Sequence, residues 1–364
     1  MMAMVDPVRA RADACPGVFA THDAADGALA RVRLPGGRLS AAQANVIADC
    51  AEDFGDGAVH LTSRGNLQLR GVRGDGLVRR LSGAGLLPSP AHERVRNYLA
   101  SPGSAWCGRL AAELDAAVCA RPELAALPGR FLFALDDGSG DVSAEGADVC
   151  WRALGPGTGA LLLAGVDTGL RIPATRAVAA LVLAAGTFVA VRGDAWRVRE
   201  SPEAAVALTA AVAGQGEFTA PVDLPASKPV PGDVFPLFGL LSAARLRLLA
   251  TCSGELVVTP WRSVVLPGAG RRELAGFGLP VVENGISACI GSPGCAKSAA
   301  DVRSDARRLS ATGVRAHFAG CERRCGRPKG EHADVLAVQG GYRVDGVFVP
   351  LDRLATTMQV KGRE

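Results

Sequence analysis

The 364-residue chain is written twice. Leu39-Ser40-Ala41-Ala42 returns as Leu241-Ser242-Ala243-Ala244, and residues 61–71 align without a gap on residues 258–268. Ser101-Pro102-Gly103 returns as Ser292-Pro293-Gly294, and Ala147-Asp148-Val149 as Ala333-Asp334-Val335. The offsets of 202, 197, 191 and 186 fall in chain order and drift smoothly. Together they mark a duplicated unit of about 190 residues, so the fold must be one architecture built twice. Pro221, Pro225, Pro229, Pro231 and Pro236 crowd the join, a linker composition.

Each copy reads as a small unit followed by a larger one. In the first, residues 28–34 are strand-like and Pro35-Gly36-Gly37 makes a turn. Ser40 and Gln43 form a capping box for a helix. Val46, Ile47, Cys50, Ala51 and Phe54 share one face of it, and Gly55-Asp56-Gly57 ends it. A single strand is expected over 59–70. The larger unit has strands at 131–135 and 160–164 and helices near 173–183 and 202–213. Ala177–Val191, bounded by Arg176 and Arg192, reads as a core helix running into a strand at Gly186-Thr187. It is short for a bilayer span. The mixture is α+β.

Ten cysteines are present, and four are clustered: Cys289-x5-Cys295, then Cys321-x3-Cys325. Four thiolates close a [4Fe-4S] cluster. The five-residue gap is long for a zinc knuckle, although zinc is a weaker reading. Cys321 and Cys325 are spaced as on one helical turn. Gly291, Gly294, Gly320 and Gly326 lie beside them, giving room and N–H groups to sulfur. The other six cysteines are scattered and read as core residues. In the first copy Tyr98 and Ser104 stand where Cys289 and Cys295 would repeat, so one cluster is expected, not two.

Several classes are excluded. The net charge of +4 argues against nucleic acid as a partner. The opening stretch carries Asp6, Arg9, Arg11 and Asp13 and has no apolar signal core. No membrane partner is expected, and a cytoplasmic setting follows. The glycine-rich stretch at 155–159 lacks the context of a nucleotide loop. Of 40 basic residues 36 are arginine, whose fork suits carboxylates. Arg64 and Gln68, with Asn66 between, would share one strand face.

These features resemble the nitrite and sulfite reductase family over roughly residues 15–350. The motifs are Ser292-Pro293-Gly294-Cys295-Ala296-Lys297 and Gly320-Cys321-Glu322-Arg323-Arg324-Cys325-Gly326-Arg327-Pro328. The resemblance implies a pseudo-twofold duplicated fold. Ferredoxin-like half-domains would lie at 15–88 and 237–282, and larger α+β domains at 89–218, without cluster ligands, and 283–360, with the cluster. Residues 219–236 would link them. It implies a [4Fe-4S] cluster on Cys289, Cys295, Cys321 and Cys325. Thr62, Arg64 and Gln68 match a carboxylate-binding strand motif, Arg31 a distal-pocket cation, and Arg96 with Asn97 an anion contact. Arg130 replaces the first of two lysines and Leu132 the second. Losing that cation counts against sulfite reduction.

Within the family the match leans to the oxygen-dependent branch of cobalamin synthesis. That implies precorrin-3A and O2 as substrates, C20 hydroxylation with lactone closure, and an external donor, either ferredoxin or an NAD(P)H-dependent reductase. Arg31, Arg96 and Arg130 would act in catalysis; Arg64, Gln68, Asn66, Arg96 and Arg130 would bind the macrocycle. A mononuclear non-haem iron is implied, but the five histidines show no ligand spacing. The rivals are a siroheme-dependent nitrite or sulfite reductase and a non-catalytic tetrapyrrole-binding electron carrier.

Overall fold

The computed structural model describes residues 15–227, 232–309 and 314–361. The opening charged stretch and linker residues Pro229 and Pro231 lie outside these residues. The first small unit holds β1 (His22–Ala24), β2 (Gly27–Val32), β3 (Arg38–Ser40), α1 (Ala41–Phe54), β4 (Ala58–Leu61), β5 (Leu67–Val72) and α2 (Gly76–Gly83). The first large unit holds β6 (Tyr98–Ala100), α3 (Ala105–Cys119), β7 (Phe133–Asp136), β8 (Val149–Gly155), β9 (Thr158–Leu163), β10 (Val166–Pro173), α4 (Ala177–Val191), α5 (Pro202–Val212) and β11 (Glu217–Phe218). The second small unit holds β12 (Leu240–Ser242), α6 (Ala243–Cys252), β13 (Glu255–Val258), β14 (Val264–Val265) and α7 (Arg271–Gly276). The second large unit holds β15 (Ile286–Ala288), α8 (Val302–Arg308), β16 (Ala316–Ala319), β17 (Ala333–Val338), β18 (Gly341–Val344), β19 (Val347–Pro350) and α9 (Leu354–Lys361).

The repeat is visible down to single dihedrals. Gly36 and Phe238, 202 residues apart, sit at φ 62° and 58°; Gly65 and Arg262, 197 apart, sit at 63° and 57°. Glycine takes that left-handed region without penalty; phenylalanine and arginine do not. Ser40 caps α1 in the expected reciprocal box with Gln43, and Ser242 caps α6.

The two small units are not separate. β3 pairs with β13 of the other copy, and β12 pairs with β4. Each copy therefore lends one strand to the other's sheet. A single core holds Ile47 and Leu69 from one copy with Leu246 and Leu256 from the other.

The large units share their first five strands, and the first adds a sixth, β11, at its edge. Each begins with three parallel strands (β6, β7, β8 and β15, β16, β17) and continues antiparallel. α3 and α4 cover one face of the first sheet around Tyr98, Phe131, Phe133 and Phe188.

Several local expectations are corrected. Residues 59–70 are two strands, because the turn at 62–66 reverses the chain: Thr62 N donates to Asn66 O at 2.9 Å. α4 runs unbroken through Gly186, where a Cβ would meet only Leu124 Cδ2 at 4.0 Å; Thr187 Oγ1 donates to Leu183 O at 2.9 Å. α4 is apolar and, with the turn before it, long enough to cross a membrane, but it packs against α3, α5 and β8. Cys321 and Cys325 lie on successive turns, not a helix, since Arg324 takes φ 44° and Gly326 φ 83°.

Candidate functional site

The site begins on one face of the sheet β1-β2-β5-β4-β12. Arg31 on β2 lies opposite Gln68 on β5, and Gln68 lies opposite His60 on β4. Directly paired residues share a face. Arg31 Nη2 donates to Gln68 Oε1 at 3.4 Å. Two residues further, Arg33 extends the row and is 1% exposed. Its Nε donates to Asn97 Oδ1 at 3.2 Å and its Nη1 to Pro16 O at 3.1 Å, while Nη2 has no partner among the described residues. Burial, then the charge of Arg31, pushes Arg33 down to about 9. The sequence reasoning missed Arg33; its position two residues after Arg31 was the available signal.

Arg64 stands in the turn between β4 and β5, and its Nη1 donates to Gly129 O at 3.2 Å. Burial, then Arg197, pushes it down to about 10. Arg33 and Arg64 are thus desolvated and, with half-buried Arg31, form a cluster of like charges that Glu93 and Asp148 offset only in part. An anionic ligand with several carboxylates would relieve both the repulsion and the lost hydration.

Other expected residues fall elsewhere. Arg64 and Gln68 are not on one strand, because the turn intervenes. Asn66 is fully buried: its Oδ1 accepts from Leu34 N at 2.8 Å and its Nδ2 reaches Asn97 Oδ1 at 3.5 Å, so it braces the turn. Thr62 Oγ1 accepts from Asn66 N at 3.1 Å, shaping the same turn. Arg96 is turned into the core, where Nε and Nη2 grip Asp115 at 2.7 and 2.6 Å and Nη1 donates to Leu86 O at 3.1 Å. Arg130 is exposed, with its guanidinium 4.7 Å from the centre of the Trp196 ring. Leu132 packs in a small core with Leu99 and Ala134. The structure brings together Arg31, Arg64 and Gln68 of the expected set; Asn66 braces the turn that carries Arg64, Arg96 is held in the core by Asp115, and Arg130 lies against Trp196.

The cysteine loops meet this face at Arg70. Its Nε and Nη2 hold Asp26 at 2.7 Å each, and Nη2 also donates to Gly294 O, between Cys289 and Cys295, at 3.0 Å. Cys289 follows β15; its N donates to Phe318 O at 2.9 Å, and its Sγ accepts from Gly320 N at 3.2 Å. Gly320 leaves no room for a side chain, since a Cβ would lie 1.9 Å from Ser298 Oγ. All four cysteines are free thiols. Burial raises the Cys325 thiol, and Cys289, Cys321 and Cys295 are close enough to raise it further, against Arg323. Arg303 Nε donates to Cys289 O at 3.1 Å, and Arg262 Nη1 to Gly326 O at 3.0 Å. One thiol already receives an N–H and the other loops bring their thiols near enough to act on Cys325, a donor set whose chemistry suits an iron–sulfur cluster. A histidine-bound mononuclear iron finds no such fit. Among the described residues, three ligand atoms come within 4.8 Å of one another at Asp136, Asp137 and Asp141, with no histidine.

The first copy departs from the equivalence expected above. Ser101 N donates to Leu135 O at 3.1 Å as Cys289 N does to Phe318 O, so Ser101, not Tyr98, takes the place of Cys289. The Ser-Pro-Gly match lay in loops of unequal length.

Comparison with known proteins agrees with this architecture. The sequence model of the nitrite/sulfite reductase ferredoxin-like half domain matches residues 22–78. A precorrin-3B synthase from Sinorhizobium sp is 25% identical over 384 aligned positions, covering 91% of this chain and 82% of the relative. A ferredoxin–nitrite reductase of Leptolyngbya laminosa is 39% identical over 79 positions, 20% of this chain and 16% of the relative. The Mycobacterium tuberculosis NirA protein superposes with a TM-score of 0.71 at 19% identity, covering 91% of this chain and 79% of that one. The chain thus carries a nitrite/sulfite reductase ferredoxin-like half domain within a NirA-like α+β fold, and its resemblance is to precorrin-3B synthase and to that reductase family.

Proposed function

We propose that the protein is an oxidoreductase of precorrin-3B synthase type, hydroxylating precorrin-3A at C20 with O2 and closing a lactone. The observation that carries this reading is the junction at Arg70. One strand, β5, presents Gln68 to the arginine cluster and Arg70 to the cysteine loop. A polycarboxylate macrocycle on the arginine face would therefore lie beside the thiols. Arg31, Arg33, Arg64 and Gln68 would take its carboxylates and amide-facing edges, each charge-assisted contact contributing about 1.5–3 kcal/mol. Cys289, Cys295, Cys321 and Cys325 would hold a [4Fe-4S] cluster, which supplies single electrons when bound. Gly320 N–H steadies the Cys289 sulfur, and Arg303 and Arg262 fix the two loops. One atom of O2 enters the substrate and the other leaves as water, with two electrons from an external ferredoxin or reductase.

The test is anaerobically reconstituted protein, precorrin-3A, a reduced ferredoxin and O2. A product heavier by one oxygen atom is expected; unchanged substrate overturns the proposal. Siroheme also carries many carboxylates, so the arginine face would accept it. A siroheme Soret band in the isolated protein would favour a nitrite or sulfite reductase instead.

A further inference from the structure

The place of the cysteine loops in the second copy is not empty chemistry in the first. β6 and β7 correspond to β15 and β16, and Ser101 corresponds to Cys289 through the shared backbone hydrogen bond. By the same register, the loop after β7 corresponds to the loop carrying Cys321 and Cys325. It reads Asp136-Asp137-Gly138-Ser139-Gly140-Asp141-Val142-Ser143. Thiols are replaced by a hydroxyl and carboxylates, soft donors by hard ones.

We propose that this loop binds one hard divalent cation of the calcium class. The ligand oxygens of Asp136, Asp137 and Asp141 lie within 4.8 Å of one another. Asp141 is 2% exposed; its Oδ1 accepts from Ser101 Oγ at 2.7 Å, and its Oδ2 has no partner among the described residues. A buried carboxylate oxygen without a partner is costly, and a cation supplies one. The loop is already shaped. Asp136 accepts from Gly138 N, Gly140 N and Ser143 N, each at 2.9 Å. Asp137 Oδ1 accepts from Ser139 N at 3.0 Å. Asp137, Ser139 and Asp141 alternate, so oxygens can converge from every second residue, as in calcium loops.

The charge count fits two positive charges. Arg152 Nε lies 3.9 Å from Asp136 Oδ1 and balances that carboxylate. Asp137 and Asp141 have no cationic partner within bridging distance among the described residues. The cation would also have a mechanical role. Ser227 N donates to Gly140 O at 3.2 Å, and Arg152 Nη1 donates to Leu224 O at 3.2 Å and to Pro225 O at 3.0 Å. The loop at Gly140 and Arg152 of β8, which itself bonds the loop at Ser143 Oγ and Gly138 O, therefore grip the segment leading from the first copy to the second, and a bound ion would tighten that grip.

The experiment uses the cluster-loaded protein, treated with EGTA and desalted, then titrated calorimetrically with CaCl2 and, separately, MgCl2. Saturable binding of about one Ca²⁺ per chain is expected, with a calcium-dependent rise in Tm. Asp137→Asn, at an exposed position, should fold normally and weaken calcium binding at least about tenfold, one lost charged ligand being about 1.4 kcal/mol. Asp141→Asn should abolish the calcium-dependent Tm rise while its calcium-free Tm stays at or above the parent's. No saturable heat and no Tm shift in the parent protein overturns the proposal. So does undiminished calcium binding in both variants.

Discussion

Arg70 donates to the carbonyl of Gly294 at 3.0 Å, joining strand β5 of the first copy to a cysteine loop 224 residues away. Its guanidinium is already committed to both oxygens of Asp26. Three bonds of one planar fork cannot be copied by an ammonium. Arg70→Ala should lower unfolding free energy by about 2–3 kcal/mol, because the pair is buried on the arginine side and only partly on the aspartate side. Arg70→Lys should recover less than half of that. Urea unfolding measures the loss. Iron and sulfide analysis measures the second effect, a lower cluster content per chain in both variants.

Arg64 and Arg96 should separate stability from binding. Arg96 is locked to Asp115 with nearly no exposure, so Arg96→Ala strands a buried carboxylate and should cost about 3–5 kcal/mol. A double-mutant cycle with Asp115→Ala should be strongly non-additive. Arg64 holds one carbonyl and is repelled by Arg197 and Arg31. Arg64→Ala should leave stability within about 1 kcal/mol. It should weaken precorrin-3A binding at least about tenfold, the loss of one charge-assisted contact. Fluorescence or absorbance titration separates the two variants.

What could be read from the sequence was what is local. The Ser40 box and the Gly55 stop each depend on residues within a few positions, and each forms as their side chains dictate; the turn at 62–66 is equally local, but it lies inside a run that reads as one strand and was missed. The exchange of β3 and β12 between copies depends on pairing across about 200 residues, and no local pattern reports it. The four cysteines stand out in the sequence because their chemistry is rare. Of the arginines, Arg31 and Arg64 fall where expected, but the others do not, because a guanidinium reaches far. Arg96 found Asp115 on the next helix, Arg130 found the Trp196 ring, and Arg33 found Asn97, none of them at a diagnostic spacing. Ser101 was misplaced because a matching tripeptide in a loop outweighed strand register, which only the ladder shows.

Gly320 gives a test of the cluster loops that touches no cysteine. Its N–H donates to Cys289 Sγ, and its Cα faces Ser298, whose hydroxyl donates to Ala300 O at 2.8 Å. A methyl group at Gly320 would collide with that hydroxyl at 1.9 Å, so Ser298 or the 320 backbone must move. Gly320→Ala should therefore reduce iron and sulfide per chain after reconstitution. Gly320→Ala with Ser298→Gly, which removes the obstacle, should restore much of it. Equal loss in both would show that the clash is not the cause.

His317 should impose a pH dependence on stability. It is fully buried on β16, with Nδ1 at 2.9 Å from Ser287 Oγ and Nε2 without a partner among the described residues. Burial, then Arg262 and His332, holds its pKa down to about 4; Asp334 opposes this, and Arg327 adds to it. An unfolded histidine titrates near about 6.5. The unfolded chain therefore binds the proton first as pH falls, and protons favour unfolding. The neutral imidazole's contribution is complete above about pH 6.5 and is lost progressively down to about pH 4, with no further loss below. The slope in that window should approach about 1.4 kcal/mol per pH unit for this one group. Buried carboxyls with raised pKa values, such as Glu93 and Asp148, act with the opposite sign, so the whole-protein curve mixes both. The difference curve between the parent protein and His317→Gln isolates the histidine. Chemical denaturation at half-unit steps from pH 4 to 7 should show the variant flatter than the parent by that slope; parallel curves would mean that His317 is protonated in the folded state.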